Sequence, residues 1–473
     1  MLSSAGEGIG ATTLTRPDSH EQTGIVRLIA AYVETARGQR ALEPARDAAF
    51  RCMLDLLGAT AAGINEPGVV AIRGMALKAM GAGSVPVWFA GLSSSVIGAA
   101  WANSAAASAL DLDDGHRLAR GHPGAAVIPT AFAVAHETGA TLEELISAIV
   151  IGYEVSVAIG AARVVYGNTG TWSSYAVVAT AAALRRTPSA IVAHALAIAG
   201  ESAPNQLFSS ASAPRAPAPE GSAIKEGIPW SVVTGLVALG LAEGGHTGPR
   251  NILDNSLHYR FPDDLSLGSS LHIRNTYFKL YACCRHVHAP VDAMLNVIRQ
   301  HHINANEIDA IEVETTSGAM RISNRAQPEN LIDVQYSIPY CLALAAFHGP
   351  QALLPLTTKS LAHDDELTGL ARKVTLSLSP EFDAVFPAQT LARVTVACGG
   401  QRFVSDITAP KGEATNPLSW AELEAKFSAA TRMVATHTQQ NQVLGAMNDA
   451  RAGNLAALTA CFEGLTLNSI LRG

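Results

Sequence analysis

The densest group of acid–base side chains in this chain lies between two apolar segments, at residues 110–122. The segment Leu110-Asp111-Leu112-Asp113-Asp114-Gly115-His116 is followed by Gly121-His122-Pro123-Gly124. Carboxylates bordered by core-forming sequence are costly to desolvate, so they are normally paired or functional. An imidazole beside them titrates near neutral pH, which suits proton transfer. The alternative is a helix-end cap with solvated charges, because aspartate caps and Pro-Gly turns are common.

A second group of reactive side chains follows much later in the chain. It reads Lys279-Leu280-Tyr281-Ala282-Cys283-Cys284-Arg285-His286-Val287-His288 and precedes an amphipathic helix starting near Ala289. Two Cys and two His suggest zinc, but adjacent cysteines fit one tetrahedral ion poorly and no second Cys-x-x-Cys pair exists. We therefore expect no metal. The alternative is a buried cysteine pair used as small hydrophobic residues, with exposed histidines.

Two single residues stand out in apolar surroundings. Lys225 closes a loop rich in Pro, Ser and Ala, and can bind a carboxylate as a point charge. The alternative is a solvated lysine paired with Glu226. Tyr153 lies in an alanine-rich helix, where a tyrosine is usually core with its hydroxyl hydrogen-bonded at the edge. Nucleotide binding, serine hydrolysis and zincin chemistry lack support, because none of their sequence motifs occurs.

Composition limits the class of protein. A chain of 473 residues predicts two domains, and 48% hydrophobic with 15% charged residues suggests surface hidden in an oligomer, a homodimer by default. The net charge of −7 and the lack of a basic run argue against a nucleic-acid partner. We find no apolar run near the ~20 residues that span a bilayer, and no signal peptide. Six cysteines without a disulfide framework predict a cytoplasmic protein.

The elements that must position these residues change character along the chain. Apolar residues at helical spacing run from Gly24 to about Leu265, with a helix start at Thr141 and another at Thr187-Pro188. After Leu271, alternating strands interleave with helices, as in an α+β unit. The predicted strands are 310–315, 374–378 and 392–397. The predicted helices among and after them are 289–300, 336–347, 365–373 and 419–433.

Taken together and in this order, the pieces resemble the MmgE/PrpD family, which includes 2-methylcitrate dehydratase, cis-aconitate decarboxylase and iminodisuccinate epimerase. The resemblance covers about residues 24 to 435. It is carried by LDLDDGH, GHPGAAVIPTAFAVA, IGYEV, AIKEGIPW, KLYACCRHVHAPVDA, VQYSIPYCLALA and NPLSWAELEAKF.

The resemblance implies a mostly α fold: a large all-helical domain formed from both chain ends, and an inserted smaller α+β lid domain. The expected bounds are a disordered tail at 1–23, the helical domain at 24–268 plus 406–473, and the lid at 269–405. It also implies a homodimer, no metal or organic cofactor, and an active site between the domains.

The same resemblance implies roles for individual residues. The expected catalytic residues are Asp111, His122, Lys225 and His288. The expected substrate-binding residues are His116, Lys279, Tyr153 and Arg285. Two departures from the family pattern bear on the substrate: Gly115 stands where the family often has Thr, and Gly167 where it usually has a histidine.

These residues fit acid–base chemistry next to a carboxylate. The cationic groups of Lys225, Lys279 and Arg285 would neutralise a small di- or tricarboxylate such as 2-methylcitrate or cis-aconitate. His122, or else His288, would move the proton, and Asp111 would orient the imidazole. We expect a cofactor-independent lyase, either a dehydratase or a decarboxylase. An epimerase of a dicarboxylate such as iminodisuccinate and a non-catalytic dimeric member remain alternatives.

Overall fold

Helices form most of the protein before residue 244. The computed structural model describes residues 14–15, 24–205, 222–361 and 365–467. The helices of this first part are α1 (Ile25–Ala36), α2 (Glu43–Gly63), α3 (Pro67–Ala79), α4 (Val96–Ser108), α5 (Gly124–Thr138), α6 (Leu142–Ala162), α7 (Gly170–Arg185), α8 (Ser189–Glu201) and α9 (Ile228–Glu243).

Local sequence explains how these helices begin and how closely they pack. The predicted start of α6 is confirmed, since Thr141 and Glu144 form a reciprocal capping box. The predicted cap of α8 is wrong: Pro188 is the cap residue, and the Thr187 hydroxyl donates to Glu243 instead. Between α7 and α9 the backbones approach so closely that a Cβ on Gly235 would lie 2.6 Å from Val177.

The part that follows is built on a four-stranded sheet. Its order is β10-β9-β7-β8, with β7 and β8 parallel and the other pairs antiparallel. The strands are β7 (Ile308–Thr315), β8 (Val374–Leu378), β9 (Arg393–Cys398) and β10 (Gln401–Val404). The helices around them are α10 (Arg285–His301), α11 (Ser317–Met320), α12 (Leu331–Gln335), α13 (Ile338–His348), α14 (Asp365–Ala371) and α15 (Pro380–Ala384).

Three last helices return to the first part: α16 (Trp420–Thr431), α17 (His437–Arg451) and α18 (Ala456–Gly464). Buried apolar side chains between residues 25 and 278 form one core with those of 418–467. A second core draws on residues 281–396, joined by Ala59, Leu110, Leu112 and Ala430. The predicted fold class, mostly α with a smaller α+β part, is confirmed. The domain bounds stay a prediction.

Short elements complete the fold. Single-turn 3-10 helices lie at Ile252–Asp254, His272–Asn275, Ala305–Glu307, Pro350–Leu353 and Thr358–Leu361. The paired short strands are β1 (Leu14–Thr15) with β5 (Ser266–Leu267), β2 (Val85–Val87) with β3 (Leu92–Ser94), and β4 (Gly115–His116) with β6 (Thr276–Tyr277). The rest of the predicted 1–23 tail lies outside the described residues. The pair β4–β6 matters most, because it joins the two reactive segments seen in the sequence.

One helix corrects an expectation about membranes. By length and composition α6 could cross a bilayer, with a mean hydropathy of 1.9 in its most apolar window, although we expected no such run. That window is 94% buried inside the protein, as is usual for a helix at the centre of a folded core.

Candidate active site

The segment 110–114 lies at the boundary of the two cores and is fixed through its backbone. Leu110 and Leu112 are buried in the second core. Asp111 has a left-handed backbone with a φ of 52°, which is uncommon for a residue other than glycine, although aspartate adopts it more readily than most. Four side chains donate to the carbonyls of residues 109–114, three of them from distant parts of the chain. These donors are Gln335 to Ala109 (3.0 Å), Lys279 to Asp111 (2.9 Å), Lys426 to Leu112 (3.0 Å) and His122 to Asp114 (2.8 Å).

The Asp111 carboxylate is shared by two ammonium groups. Lys279 Nζ lies 2.6 Å from Asp111 Oδ1, and Lys225 Nζ lies 3.1 Å from the same oxygen. All three side chains are buried. The reactive segments at 111–122 and 279–288 therefore meet, and Lys225 joins them from a third part of the chain. The alternative of a solvated Lys225 is excluded.

A second carboxylate and a tyrosine extend this group. Lys225 also contacts Glu226 Oε1 at 3.2 Å, and it donates to the Tyr336 hydroxyl. Tyr336 in turn donates to Glu226 Oε1 at 3.0 Å. The other Glu226 oxygen accepts from the Thr169 hydroxyl at 2.7 Å. Sequence reasoning missed Glu226 and Tyr336 as site residues, although both belong to segments that carry the family resemblance.

His122 is oriented for proton exchange on one nitrogen. Because a carbonyl only accepts, the contact to Asp114 O means that Nδ1 carries the hydrogen. The other nitrogen, Nε2, lies 3.3 Å from Asp111 Oδ1. The backbone N–H of His122 donates to Thr169 at 3.2 Å, which ties the histidine to the Glu226 side of the group. Nε2 is therefore the atom that can exchange a proton with a ligand.

The charges in this group support one another. Burial alone would raise the pKa of Asp111, but Lys225, Lys279 and His122 lower it below its ordinary value. Burial opposes ionisation of Glu226 as well, and Lys225 and His122 nevertheless lower its pKa. Burial alone would lower the pKa of both lysines, but the Asp111 carboxylate raises the pKa of each above its ordinary value. At Lys225, Glu226 adds to this effect. Both carboxylates and both amines are therefore ionised at neutral pH.

Two neighbouring aspartates behave in the opposite way. Burial raises the pKa of Asp113 to about 6, and neither of its oxygens has a hydrogen-bond partner in the described chain. Burial likewise raises the pKa of Asp114 to about 7, although Tyr153 and the Gly124 N–H donate to it. Tyr153, expected to bind substrate, therefore supports Asp114 and is absent from the cavity lining.

A cavity of about 370 Å³ lies beside this group, and residues of both the helical part and the α+β part line it. Asp111, His122, Lys279, Glu226 and Tyr336 line it, whereas Lys225 reaches it through Asp111 and Tyr336 and itself lines a neighbouring cavity. The remaining lining includes His116, Arg117, Arg120, Tyr277, Cys284, Arg285, His286 and Arg321. A volume of this size suits a small polar ligand.

The structure places two other expected site residues in supporting positions. Arg285 lines the cavity, but its guanidinium is held by Glu413 at 2.6 Å and by the Lys411 carbonyl at 2.9 Å. His288 is absent from the cavity lining: Nε2 contacts the Cys283 carbonyl at 3.3 Å, and Nδ1 lies 3.4 Å from Arg285. Both ring nitrogens of His288 are thus engaged, so we do not retain it as the proton-transfer group.

His116 lines the cavity as a neutral imidazole. Burial, and then the neighbouring His272, lower its pKa to about 3. Its Nε2 lies 3.1 Å from the His272 carbonyl, while Nδ1 is buried without a hydrogen-bond partner among the described residues. The role of His116 in substrate binding stays a prediction.

Potential metal ligands also meet at this place. One ligand atom each of Asp111, Asp113 and His122 lies within 4.8 Å of the others. The Asp111 oxygen is held by Lys279 and Lys225, whose positive charges oppose a cation there. Among the described residues, Cys283 and Cys284 belong to no group of three potential ligand side chains.

The two departures from the family pattern have physical counterparts. A Cβ at Gly115 would overlap the ring of Tyr277, so that ring fills the space of a side chain at 115. A Cβ at Gly167 would lie 2.6 Å from the Thr171 hydroxyl and 2.9 Å from Arg163 Nε. A side chain at position 167 would therefore have to displace the Thr171 and Arg163 side chains from their present positions.

Comparison with known proteins agrees with this arrangement. The MmgE/PrpD N-terminal domain model matches residues 27–261 and the MmgE/PrpD C-terminal domain model matches residues 281–449. The chain belongs to the MmgE/PrpD family.

Two curated relatives are described as cis-aconitate decarboxylase. One, from Aspergillus terreus, is 28% identical over 362 residues, covering 67% of this chain and 71% of that protein. The other, from Aspergillus terreus (strain NIH 2624 / FGSC A1156), is 29% identical over 332 residues, covering 61% of this chain. The second match spans 64% of that relative, which is less than two thirds of its length.

Proposed function

We propose that this MmgE/PrpD protein is a cofactor-independent lyase that decarboxylates a small tricarboxylate of the cis-aconitate type. The observation that carries the proposal is the convergence of Lys225, Lys279 and His122 on one Asp111 oxygen at the edge of a cavity. The names of the two relatives support decarboxylation over the other lyase reactions.

The lysines supply the positive charge that this reaction needs. Decarboxylation breaks a C–C bond and leaves its electron pair on the remaining carbon skeleton, next to a carboxylate. Lys225 and Lys279 are fully charged and already aligned, because Asp111 and Glu226 hold them. A substrate carboxylate in the cavity would meet Lys279 directly, while Lys225 would act through Asp111 and Tyr336.

His122 completes the reaction by proton transfer. When carbon dioxide leaves, one carbon of the skeleton must take one proton, so each turnover consumes a proton. The Nε2 of His122 can deliver it, since Nδ1 is held by the Asp114 carbonyl. Asp111, 3.3 Å away, stabilises the protonated ring before the transfer. Tyr336 stays a neutral donor because burial raises its pKa well above the ordinary value.

An epimerase of a small dicarboxylate is the second candidate. Position 167 is a glycine packed against Arg163 and Thr171, so it contributes no imidazole. The chain therefore lacks one proton-transfer group that the family usually has at this position. Epimerisation removes the α-proton from one face of the carbon and delivers a proton to the other, with no carboxylate or hydroxide lost, so it requires a second acid–base group opposite His122 Nε2.

The remaining expectations stand as proposals. Decay to a non-catalytic protein is disfavoured, since four of the expected site residues, Asp111, His122, Lys225 and Lys279, meet in one group, although His288 stands apart. The homodimer and the cytoplasmic location stay predictions.

The experiment is incubation of the protein in deuterated water with cis-aconitate, 2-methylcitrate and iminodisuccinate in turn. Release of carbon dioxide with one deuterium in the product would support the decarboxylase. A new unsaturated product without carbon dioxide would favour a dehydratase, and deuterium at an α-carbon with no other change would favour an epimerase. No reaction with any of the three would contradict the proposal.

A further inference from the structure

The cations that line the cavity differ in whether a carboxylate already holds them. Lys279 is held by Asp111. Arg117 and Arg285 are both held by Glu413, which lies 2.6 Å from Arg285. Arg120 and Arg321 line the same cavity, and within the described ranges neither forms a salt bridge with a carboxylate; the exposed Asp383 interacts with Arg321 only at longer range. They are the cations there that a bound anion could pair with at no loss of an existing ion pair.

Arg120 keeps weak contacts only. Its guanidinium lies 3.3 Å from the Arg163 carbonyl and 5.7 Å from the ring centre of Tyr166. Its backbone has a φ of 55°, a left-handed conformation that glycine adopts more easily. The turn is closed by backbone bonds at 2.9 Å between His116 N and Gly121 O and between Arg120 N and His116 O, none of which requires an arginine.

Arg321 belongs to the α+β part of the chain, which contains the second core. It follows α11, and its one described side-chain contact is an exposed donation to Ser317 Oγ at 3.4 Å. Arg120 belongs to the helical part and Arg321 to the α+β part, so a ligand held by both arginines bridges the two parts across the cavity.

The charges elsewhere in the cavity do not neutralise this pair. The Asp111 carboxylate already pairs with Lys225 and Lys279, and the Glu226 carboxylate pairs with Lys225. The cavity imidazoles His116 and His286 add no charge, because burial lowers the pKa of each to about 3. Positive charge therefore remains at the arginines, away from the reacting group.

We propose that Arg120 and Arg321 bind a substrate carboxylate that does not react, and that this contact makes a second carboxylate a requirement for binding. The inference rests on the proposed function and deepens it. Guanidinium groups suit this task because their planar donors can engage a carboxylate in two parallel hydrogen bonds.

The test compares Arg120→Gly and Arg321→Gln with the wild-type protein on whichever substrate it turns over. Each variant should raise KM at least ~10-fold with kcat changed less than about threefold, as for loss of binding shared by ground and transition states. Arg186→Gly is the matched control, since Arg186 also has a φ of 55° but pairs with Glu144 on the surface; its KM should not change.

A binding measurement separates this inference from the proposed function. Propane-1,2,3-tricarboxylate should raise the unfolding temperature of the wild-type protein, and each cavity variant should lose most of that rise. Arg120→Gly should fold at least as well as the wild type, because glycine relaxes the left-handed backbone. Wild-type turnover with an unchanged KM in both variants would overturn the inference alone. Absence of both turnover and tricarboxylate binding in the wild type would overturn the proposed function.

Discussion

Two buried aspartates receive lysines in this protein, and they differ in nearly every other respect. Asp55, on α2, is paired with Lys426 of α16. Asp111 is paired with both Lys225 and Lys279 and lies 3.3 Å from His122. Burial raises the pKa of Asp55 despite its lysine, whereas the cations around Asp111 overcome burial and lower its pKa.

The difference lies in access and in the number of cations. Asp111 borders the cavity and Asp55 does not. Lys426 also donates to the Leu112 carbonyl at 3.0 Å, so the enclosed pair holds the segment that presents Asp111. A buried lysine–aspartate ion pair by itself thus stabilises the fold. Such a pair becomes a candidate active site where a second cation, a histidine and an adjoining cavity are also present.

The largest effect is expected from Lys426→Met. It leaves Asp55 buried without its cation, and breaking such a pair costs about 3–5 kcal/mol of the free energy of unfolding. Denaturant titration measures this cost. The double variant Lys426→Met with Asp55→Leu should recover most of it, because no buried charge remains. A loss below about 1 kcal/mol in the single variant would show that the pair does not stabilise the fold.

The next effect concerns pH. A pKa of about 6 for folded Asp113, above its unfolded value, means that the folded state holds the extra proton and loses stability as pH rises from about 4 to 6. Asp113→Asn removes this loss. Relative to the wild type, the variant should gain up to about 3 kcal/mol over that pH window and no more above it. A difference in unfolding free energy that does not vary with pH would contradict this.

Lys279→Met sharpens the comparison between the two groups. Asp111 keeps Lys225, so the loss of stability should be smaller than in Lys426→Met. Turnover should fall by at least ~100-fold, since a fixed charge beside the reacting atoms is removed. Steady-state rates and unfolding curves on both variants test this contrast. The reverse pattern, a stable and active Lys279→Met, would place the reaction elsewhere.

The smallest effect is expected from Tyr336→Phe. The change removes one donor to Glu226 and one acceptor for Lys225 while the ring stays. A loss of about 10-fold in kcat/KM is expected, the size of one hydrogen bond to a charged group. Tyr340→Phe is the matched control, as the Tyr340 hydroxyl donates to the Ser360 carbonyl away from the cavity. Equal losses in both variants would argue that Tyr336 acts through folding alone.

The features that could be predicted from the sequence depend on neighbouring residues or on an uninterrupted pattern along the chain. The capping box at Thr141 depends on neighbouring residues only, and β8 was placed correctly because its alternation is uninterrupted. Tyr336 was missed for the same reason: we predicted one helix over 336–347, but Ser337 caps a new helix with Pro339 in its first turn. Tyr336 lies in the break, which a periodicity argument does not detect.

The chemical roles inside one motif also needed the fold. Lys279, Arg285 and His288 stand within ten residues, yet α10 begins at Arg285 and separates them from the lysine. Arg285 and His288 share one helix face, where Arg285 is held by Glu413 and contacts His288. Of the three, only Lys279 reaches Asp111. Sequence spacing cannot distinguish these outcomes, because they depend on where the helix starts.

The most direct test of the account is the turnover of His122→Ala, with His194→Ala as a control histidine outside the cavity. We expect kcat/KM to fall at least ~100-fold in His122→Ala, the lower range for loss of a general acid–base group, while the control stays near the wild-type value. The unfolding temperature should be retained in both. Near-normal turnover in a folded His122→Ala protein would contradict the central claim.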